Sequence, residues 1–454
     1  MVADQARAAA IGERPAPDVA YAQWIDVCTR AGWRIQARPE RVPVADCLGR
    51  VTADPIRADR PSPWFDCAAM DGIAVRAGAG AGAGHDRDRN SGGSGRWRLA
   101  PADFAWVDTG EPMPAGTDTV VECERVNLDG DGSAWITGPA PRGLHVRAVG
   151  EDFPAGQLLI PARHRLRPPD LAAAVAAGHA ALDVACRPAV TIIPTGNEIR
   201  PIGSALRTGE ITDSNSPMLA ALVTESGGTP LVSDVQPDDA AEIATAVTQA
   251  ARHADLVLLV AGSSTGHRDQ APAVLADTGG IAVHGVAVRP GHPALLGYTR
   301  PAQPGGRPAD GPAGGSRPVP VIGVPGYPLA AVVIFELFAT RLLAALQGCS
   351  RPERPRQHAQ LACKWTSSPD VEDWVPVSLA TGPAGLDTRS TVLATPIRRG
   401  AGAISQLVRA DAWWTIPAGR AEFSCGEQID VQPIPGAPAG LGSDLAAPAR
   451  QAGA

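Results

Sequence analysis

Between residues 189 and 348 the chain alternates short β-branched runs, at 189–193, 229–232, 255–260 and 281–288, with segments whose apolar residues recur at helical spacing. Such runs bury themselves most readily as strands of a parallel sheet with helices packed on it, so this stretch predicts an α/β unit. Pro217 after Ser216 marks a helix start, with Asn215 or Ser216 as cap and proline in the first turn. Residues 328–347 are apolar almost throughout, and their first turn follows a strand and a glycine-containing loop. By contrast, 51–140 and 355–434 consist of short runs broken by Gly, Pro and Asp, and predict small β-barrels or meanders. At 454 residues the chain is too long for one core, and roughly three or four units are expected. The fold class is α/β plus β.

Two internal segments, 77–96 and 300–318, are built from Gly, Ala, Pro, Ser and charged residues and predict loop insertions. The second separates strand-like runs at 293–298 and 319–324, which fits a hairpin with an enlarged tip. Residues 1–18 and 435–454 have the composition of disordered tails. A net charge of −7 argues against a nucleic-acid-binding surface, and an anionic substrate must be gathered locally. No stretch of about 18 apolar residues and no charged n-region with an apolar run are recognised, so no membrane partner is expected and the cytoplasm is the expected location. The eight cysteines are scattered without zinc spacing and are expected to be reduced and mostly buried.

Ligands of parallel α/β units bind at the carboxyl ends of strands. Thr195-Gly196-Asn197-Glu198 follows the first predicted strand, Gly262-Ser263-Ser264-Thr265-Gly266 the third and Arg289-Pro290-Gly291-His292 the fourth, while Pro325-Gly326-Tyr327-Pro328 opens the last helix. Each alone is ordinary turn chemistry; four in register predict a cradle in which backbone N–H groups approach a phosphate. Asp66, Asp71, Asp152, Glu198, Asp238 and Asp269 would repel an anion unless a cation stood between, and Mg²⁺ suits hard carboxylate oxygens completed by water and phosphate. Capping, turn and surface roles account equally well for any one of these acids, and for Asp238 a helix cap and a functional role stand level. No Gly-x-Ser-x-Gly elbow in context and no GxGxxG fingerprint is present.

Six motifs in fixed order carry a more specific signal. They are Phe65-Asp66-Cys67-Ala68-Ala69-Met70-Asp71-Gly72, Asp108-Thr109-Gly110-Glu111-Pro112, Gly150-Glu151-Asp152, Pro194-Thr195-Gly196-Asn197-Glu198, Asp213-Ser214-Asn215 and Gly323-Val324-Pro325-Gly326-Tyr327-Pro328. Together they resemble the MoeA and gephyrin E-domain family, the molybdopterin molybdenumtransferases, from about residue 20 to about 434. The resemblance implies a homodimer with a linker region at 19–50 and 141–186, a β-rich insertion domain at 51–140, a molybdopterin-binding α/β domain at 187–350 and a C-terminal β-barrel at 355–434. It implies insertion of molybdate into adenylylated molybdopterin with Mg²⁺-dependent release of AMP. Molybdopterin adenylyltransferase and molybdoenzyme maturation proteins are the implied further partners.

Carried over by motif, the implied catalytic residues are Asp66, Asp269, Arg289 and His292, and the metal ligands Asp152, Glu198 and Asp238. Thr109, Thr195, Gly196, Asp213, Gly262, Ser264, Gly266, Pro325, Gly326 and Ser405 are the implied substrate-binding residues. The chain departs from the family at several anion-binding positions. Arg289-Pro290-Gly291-His292 stands for Lys-Pro-Gly-Lys, Pro325-Gly326-Tyr327-Pro328 for Pro-Gly-Asn-Pro, and Val260-Ala261-Gly262 for Ser-Gly-Gly. A C-terminal arginine is replaced near Pro376. Arg289 can bind an oxyanion, whereas His292, with an ordinary pKa of about 6.5, needs an acidic neighbour to act as a cation. Arg398, Arg399 and Arg409 are candidate replacements, although a solvated face explains them too. The departures leave open a non-catalytic molybdopterin- or molybdate-binding relative acting as carrier or regulator.

Overall fold

The computed structural model describes residues 14–78, 96–138, 140–261, 270–302, 317–351, 353–381, 392–397 and 404–437. The chain divides into two compact units, one comprising residues 1–38 and 186–454 and the other residues 39–185.

In the first unit a six-stranded sheet runs in the order Thr229–Val232, Ala189–Pro194, Leu256–Ala261, Val319–Pro325, Leu295–Thr299, Gly279–His284. The first four strands are parallel, with registers such as Ile192 opposite Leu258 and Val257 opposite Val321. Leu295–Thr299 is antiparallel to both its neighbours, so the sheet is mixed. Its pairing with Val319–Pro325 is the hairpin expected around the 300–318 insertion.

Alternation along each central strand sorts side chains to two faces. Val190, Ile192, Leu256, Leu258, Ile322 and Val324 pack with the helices Pro17–Arg30, Asn215–Glu225 and 328–346. Ile193, Val257, Leu259 and Val321 face the helices Ala240–Ala250 and Ala271–Thr278. Burial on both faces explains why these strands are apolar throughout. Trp24 Nε1 donates to the Gly297 carbonyl at 2.7 Å. Gly297 has to lack a side chain, because a Cβ there would stand 2.4 Å from the Gly280 carbonyl oxygen.

Helix 328–346 passes through a π-helical turn at Phe335–Ala339. Glu336, within that turn, is buried and held by Arg351 at 2.8 Å and by Arg354. Contrary to the expectation from sequence, Pro328–Leu346 is long and apolar enough to cross a membrane, at 19 residues with a mean hydropathy of 2.1. Fully 83% of it is buried inside the protein, which identifies it as the central core helix of this unit.

The C-terminal strands close a five-stranded barrel. Glu372–Thr381, Val392–Pro396, Gln357–Leu361, Gln428–Pro433 and Ala412–Ile416 follow one another, and the last pairs back to the first. The barrel core is Leu361, Val375, Val377, Trp414, Ile429 and Val431.

In the second unit, two three-stranded antiparallel sheets form, one with Gly72–Val75 between Phe104–Val107 and Thr119–Glu122, the other with Ala134–Thr137 between Arg96–Leu99 and Val126–Leu128. Gly72 lies so close to the neighbouring strand that a Cβ would stand 2.0 Å from the Val121 carbonyl oxygen. The strands Pro39–Pro43 and Ala181–Ala185 pair antiparallel alongside the helix Pro168–Ala176.

Candidate functional site

The carboxyl ends of the parallel strands gather the glycine loops on one edge of the sheet. Thr195, just beyond Ala189–Pro194, donates both its N–H and its hydroxyl to the Val260 carbonyl, at 3.0 and 2.9 Å. That double contact fixes the loop onto the neighbouring strand. Gly196 follows at φ +142°, with its N–H on the Gln236 carbonyl at 3.0 Å. A side chain there would meet Ile199 Cγ1 at 2.8 Å and the Glu198 carboxylate at 3.2 Å. The loop can thus fold back on itself only with glycine at this position.

Asn197 joins this loop to the next. Its N–H donates to Asp238 Oδ2 and its Oδ1 accepts from the Asp238 N–H, both at 3.3 Å. Asp239, not Asp238, caps the following helix, accepting from Ala241 and Glu242 N–H at 2.9 and 3.0 Å. The structure therefore corrects the capping alternative for Asp238 and leaves its carboxylate beside the loop that carries Glu198. Asp213 Oδ1 accepts from Ser216 N–H at 3.0 Å, so it caps the Asn215–Glu225 helix, where Asn215 or Ser216 was expected to do so. The Asn215 amide reaches across to the Gly326 carbonyl at 2.7 Å and ties this helix start to the loop after Pro325.

Arg289 and His292 lie in the connection from Gly279–His284 to Leu295–Thr299. The connection is closed by hydrogen bonds from Gly285 N–H to Ala294 O at 2.9 Å and from Val286 N–H to His292 O at 3.0 Å. Val288 and Arg289 leave the α/β sheet and pair with Glu372 and Asp373 of the C-terminal strands, which corrects the 281–288 run as a single strand. His292 is half-buried, and burial together with Arg14 and Arg289 lowers its pKa below the ordinary 6.5. It has gained cationic neighbours where a cationic role required an acid, so it is neutral near pH 7.

Arg14 carries no signal in sequence, because the composition of its segment is that of a tail. Yet the first helix begins at Pro17, and the Pro15 carbonyl accepts from Ala287 N–H at 2.9 Å. Ser405 is exposed at the start of a five-residue helix, and Arg409 ends it half-buried. Gly262, Ser264, Gly266, Asp269, Arg398 and Arg399 lie outside the described residues.

In the second unit, Asp66 Oδ1 accepts from Val149 N–H at 2.8 Å. Asp71 Oδ1 accepts both the N–H and the hydroxyl of Thr109, each at 2.7 Å. The Thr109 hydroxyl bond and then its amide hold the Asp71 carboxyl below its usual range. Asp152 is exposed, with its N–H on the Ser62 carbonyl at 3.0 Å. Backbone bonds therefore bring the Asp66, Thr109 and Asp152 segments onto one rim of this unit. Cys67 is buried there and fills space as a small apolar side chain.

Among the described residues no group of three His, Cys, Asp or Glu side chains could hold a metal ion. Of the expected ligands, Glu198 and Asp238 belong to the first unit and Asp152 to the second. What remains at the sheet edge is a pair of carboxylates, Glu198 and Asp238, in loops joined through Asn197. That donor set suits a hard cation taking one or two carboxylates and completing its shell with water and phosphate.

The chain is similar to known proteins over most of its length. Residues 18–178 match the family model described as the MoeA N-terminal region (domain I and II), 191–345 the probable molybdopterin binding domain, and 358–434 the MoeA C-terminal region (domain IV). The chain is 30% identical over 328 residues to a molybdopterin molybdenumtransferase of a Nostoc species, covering 69% of this chain and 72% of the relative. It is 32% identical over 348 residues to molybdopterin molybdenumtransferase 2 of Mycobacterium tuberculosis, covering 73% and 80%. The solved structure of a Pyrococcus horikoshii molybdopterin biosynthesis MoeA protein superimposes with a TM-score of 0.70 at 28% identity, covering 92% of this chain and 98% of that one.

Proposed function

The chain belongs to the MoeA family of molybdopterin molybdenumtransferases, and from that premise we propose that it inserts molybdate into adenylylated molybdopterin and releases AMP. The observation that carries this reading onto particular residues is the sheet edge. There Thr195 is fastened to Val260, Gly196 to Gln236 and Asn197 to Asp238, while Gly326 is tied to the helix start at Asn215, all at the ends of parallel strands. Thr195 and Gly196, with Gly326 across the strand ends, border the space in which the pterin phosphate sits. Asp213 supports this wall from the helix start, and Pro325 sets the direction in which the last strand enters its loop.

Mg²⁺, when bound, neutralises charge on the pyrophosphate and on developing oxyanions. Glu198 and Asp238 are the residues that would hold it. Asn197 keeps those two carboxylates in register, and the positive φ of Gly196 sets how far Glu198 leans over the loop. Arg289 supplies fixed positive charge to the oxyanion. Asp66, Thr109 and Asp152 are proposed as oxygen donors, and Ser405 as a hydroxyl donor. The chemistry asked of the protein is chiefly positioning and charge neutralisation. The proposal places the enzyme in the cytoplasm as a homodimer. A molybdopterin adenylyltransferase makes its substrate, and molybdoenzyme maturation proteins take its product.

The test is AMP release from adenylylated molybdopterin with molybdate and Mg²⁺. Glu198→Gln and Asp269→Asn should each abolish release while the protein stays folded. Unchanged turnover in both would remove these loops from the reaction.

A further inference from the structure

We propose that Arg14, in the segment before the first helix, completes an oxyanion clamp with Arg289 and takes the cationic part that His292 does not play. The proposal rests on the sheet edge being the substrate site, and adds to it a residue that lies before the segment matched by the family models.

Arg14 is fixed to this corner. The Pro15 carbonyl accepts from Ala287 N–H at 2.9 Å, which pins the N-terminal segment to the connection that carries Arg289 and His292. Gly285 lies at φ +88° beneath the Arg14 side chain, and a Cβ there would stand 3.3 Å from Arg14 Nε and 3.4 Å from the His292 carbonyl oxygen. The opposite side of the connection is equally constrained: at Gly291, φ +118°, a Cβ would meet Ile334 Cγ1 and Cδ1 at 2.9 Å. The connection is thus held between the core helix and the N-terminal segment.

The charges at this corner do not balance. Arg14 and Arg289 are exposed, both act on the half-buried His292, and among the described residues neither makes an ion pair. Asp373, opposite Arg289 in the strand pairing, is buried and accepts the Ser367 hydroxyl at 2.7 Å, and two further acids beside the corner are engaged as well. Asp18 pairs with Arg341 at 2.7 Å, and Glu372 accepts from Trp374 Nε1 at 2.6 Å. Two exposed guanidinium groups that both act on one half-buried imidazole, neither of them in an ion pair among the described residues, form a place for a dianion in a chain of net charge −7. The neutral imidazole beside them can donate a hydrogen bond without adding charge. The ligand is a tetrahedral oxyanion, either free molybdate or the phosphate of the pterin substrate.

Calorimetric titration of the full chain with molybdate alone, and separately with adenylylated molybdopterin alone, tests the clamp and tells the two sources apart. Arg14→Ala should weaken one of the two by about 10- to 100-fold, as loss of a charge-assisted hydrogen bond does. Arg14→Lys should recover most of that loss, and Arg289→Ala should weaken the same ligand. A loss confined to molybdate makes this the molybdate site, and a loss confined to the pterin makes it a phosphate site; both support the clamp. If Arg14→Ala binds both ligands as the parent does while Arg289→Ala does not, Arg14 has no part and the clamp is overturned. Arg14 is exposed and precedes the first helix, so melting of Arg14→Ala should match the parent. AMP release by the parent is a separate readout. Its absence alongside Arg14-dependent molybdate binding would remove the transferase reading and leave the clamp standing.

Discussion

Replacing Gly196 by alanine perturbs the candidate site at one atom, and the structure predicts how. At φ +142° an L residue is strained, which costs about 1–3 kcal/mol. The new methyl would also stand 2.8 Å from Ile199 Cγ1 and 3.2 Å from the Glu198 carboxylate, so the carboxylate has to move. A shift of about 1 Å in a positioning group can cost on the order of 10²-fold in rate. Gly203 is the matched control: it lies in the same excursion at φ +85° with nothing within 4 Å of its Cβ position. Gly203→Ala therefore carries backbone strain without displacing Glu198. Both variants should melt lower, by roughly 2–4 °C per kcal/mol for a domain of about 150–250 residues. Only Gly196→Ala should lose AMP release, by about 100-fold. Equal activity in the two variants, or full activity in Gly196→Ala, would show that the place of Glu198 over this loop is irrelevant to turnover.

Asp239→Ala should cost about 1 kcal/mol of stability through loss of the helix cap and leave AMP release intact. Asp238→Ala should do the reverse, and a melting curve beside a turnover assay separates them. Gly72→Ala would drive a Cβ to 2.0 Å from the Val121 carbonyl oxygen, so limited proteolysis should cut the 39–185 unit faster in this variant; an unchanged cleavage rate would refute the close approach. The pKa of His292 is lowered below 6.5 by burial, Arg14 and Arg289. Unfolded chain therefore binds its proton first as pH falls, and stability present above about pH 6.5 declines through the lowered folded value. His292→Gln should flatten the part of the denaturation midpoint's pH profile that lies below about pH 6.5, and an identical slope in parent and variant would refute this.

The central sheet was legible because its strands are buried on both faces, which makes apolar runs such as Leu256–Ala261 stand out from their surroundings. The hairpin joining Leu295–Thr299 to Val319–Pro325 was legible because the composition changes so sharply between its strands. Residues 281–288 read as one strand, since nothing local shows that the chain leaves one sheet after His284 and pairs with another at Val288. Helix caps were misplaced by one or two residues for a related reason. Asp238 and Asp239 are the same residue type, and only the backbone decides which faces the free N–H groups. Glu336 and Arg341 break the apolar run of Pro328–Leu346, which is why it does not stand out as 18 uninterrupted apolar residues. Gly196 was legible as a structural position, because the close approach of Ile199 and Glu198 there needs glycine. Arg14 left no mark, since its partnership with Arg289 and His292 depends on tertiary packing that a Pro- and Ala-rich segment does not reveal.

The most direct measurement is an anaerobic incubation of the purified full chain with adenylylated molybdopterin, molybdate and Mg²⁺, following AMP and the metal retained on the pterin. AMP release together with metallated pterin, both lost in Glu198→Gln, is the predicted result. Tight binding of the pterin with neither AMP nor metallated product would contradict the account and mark the chain as a non-catalytic member of its family.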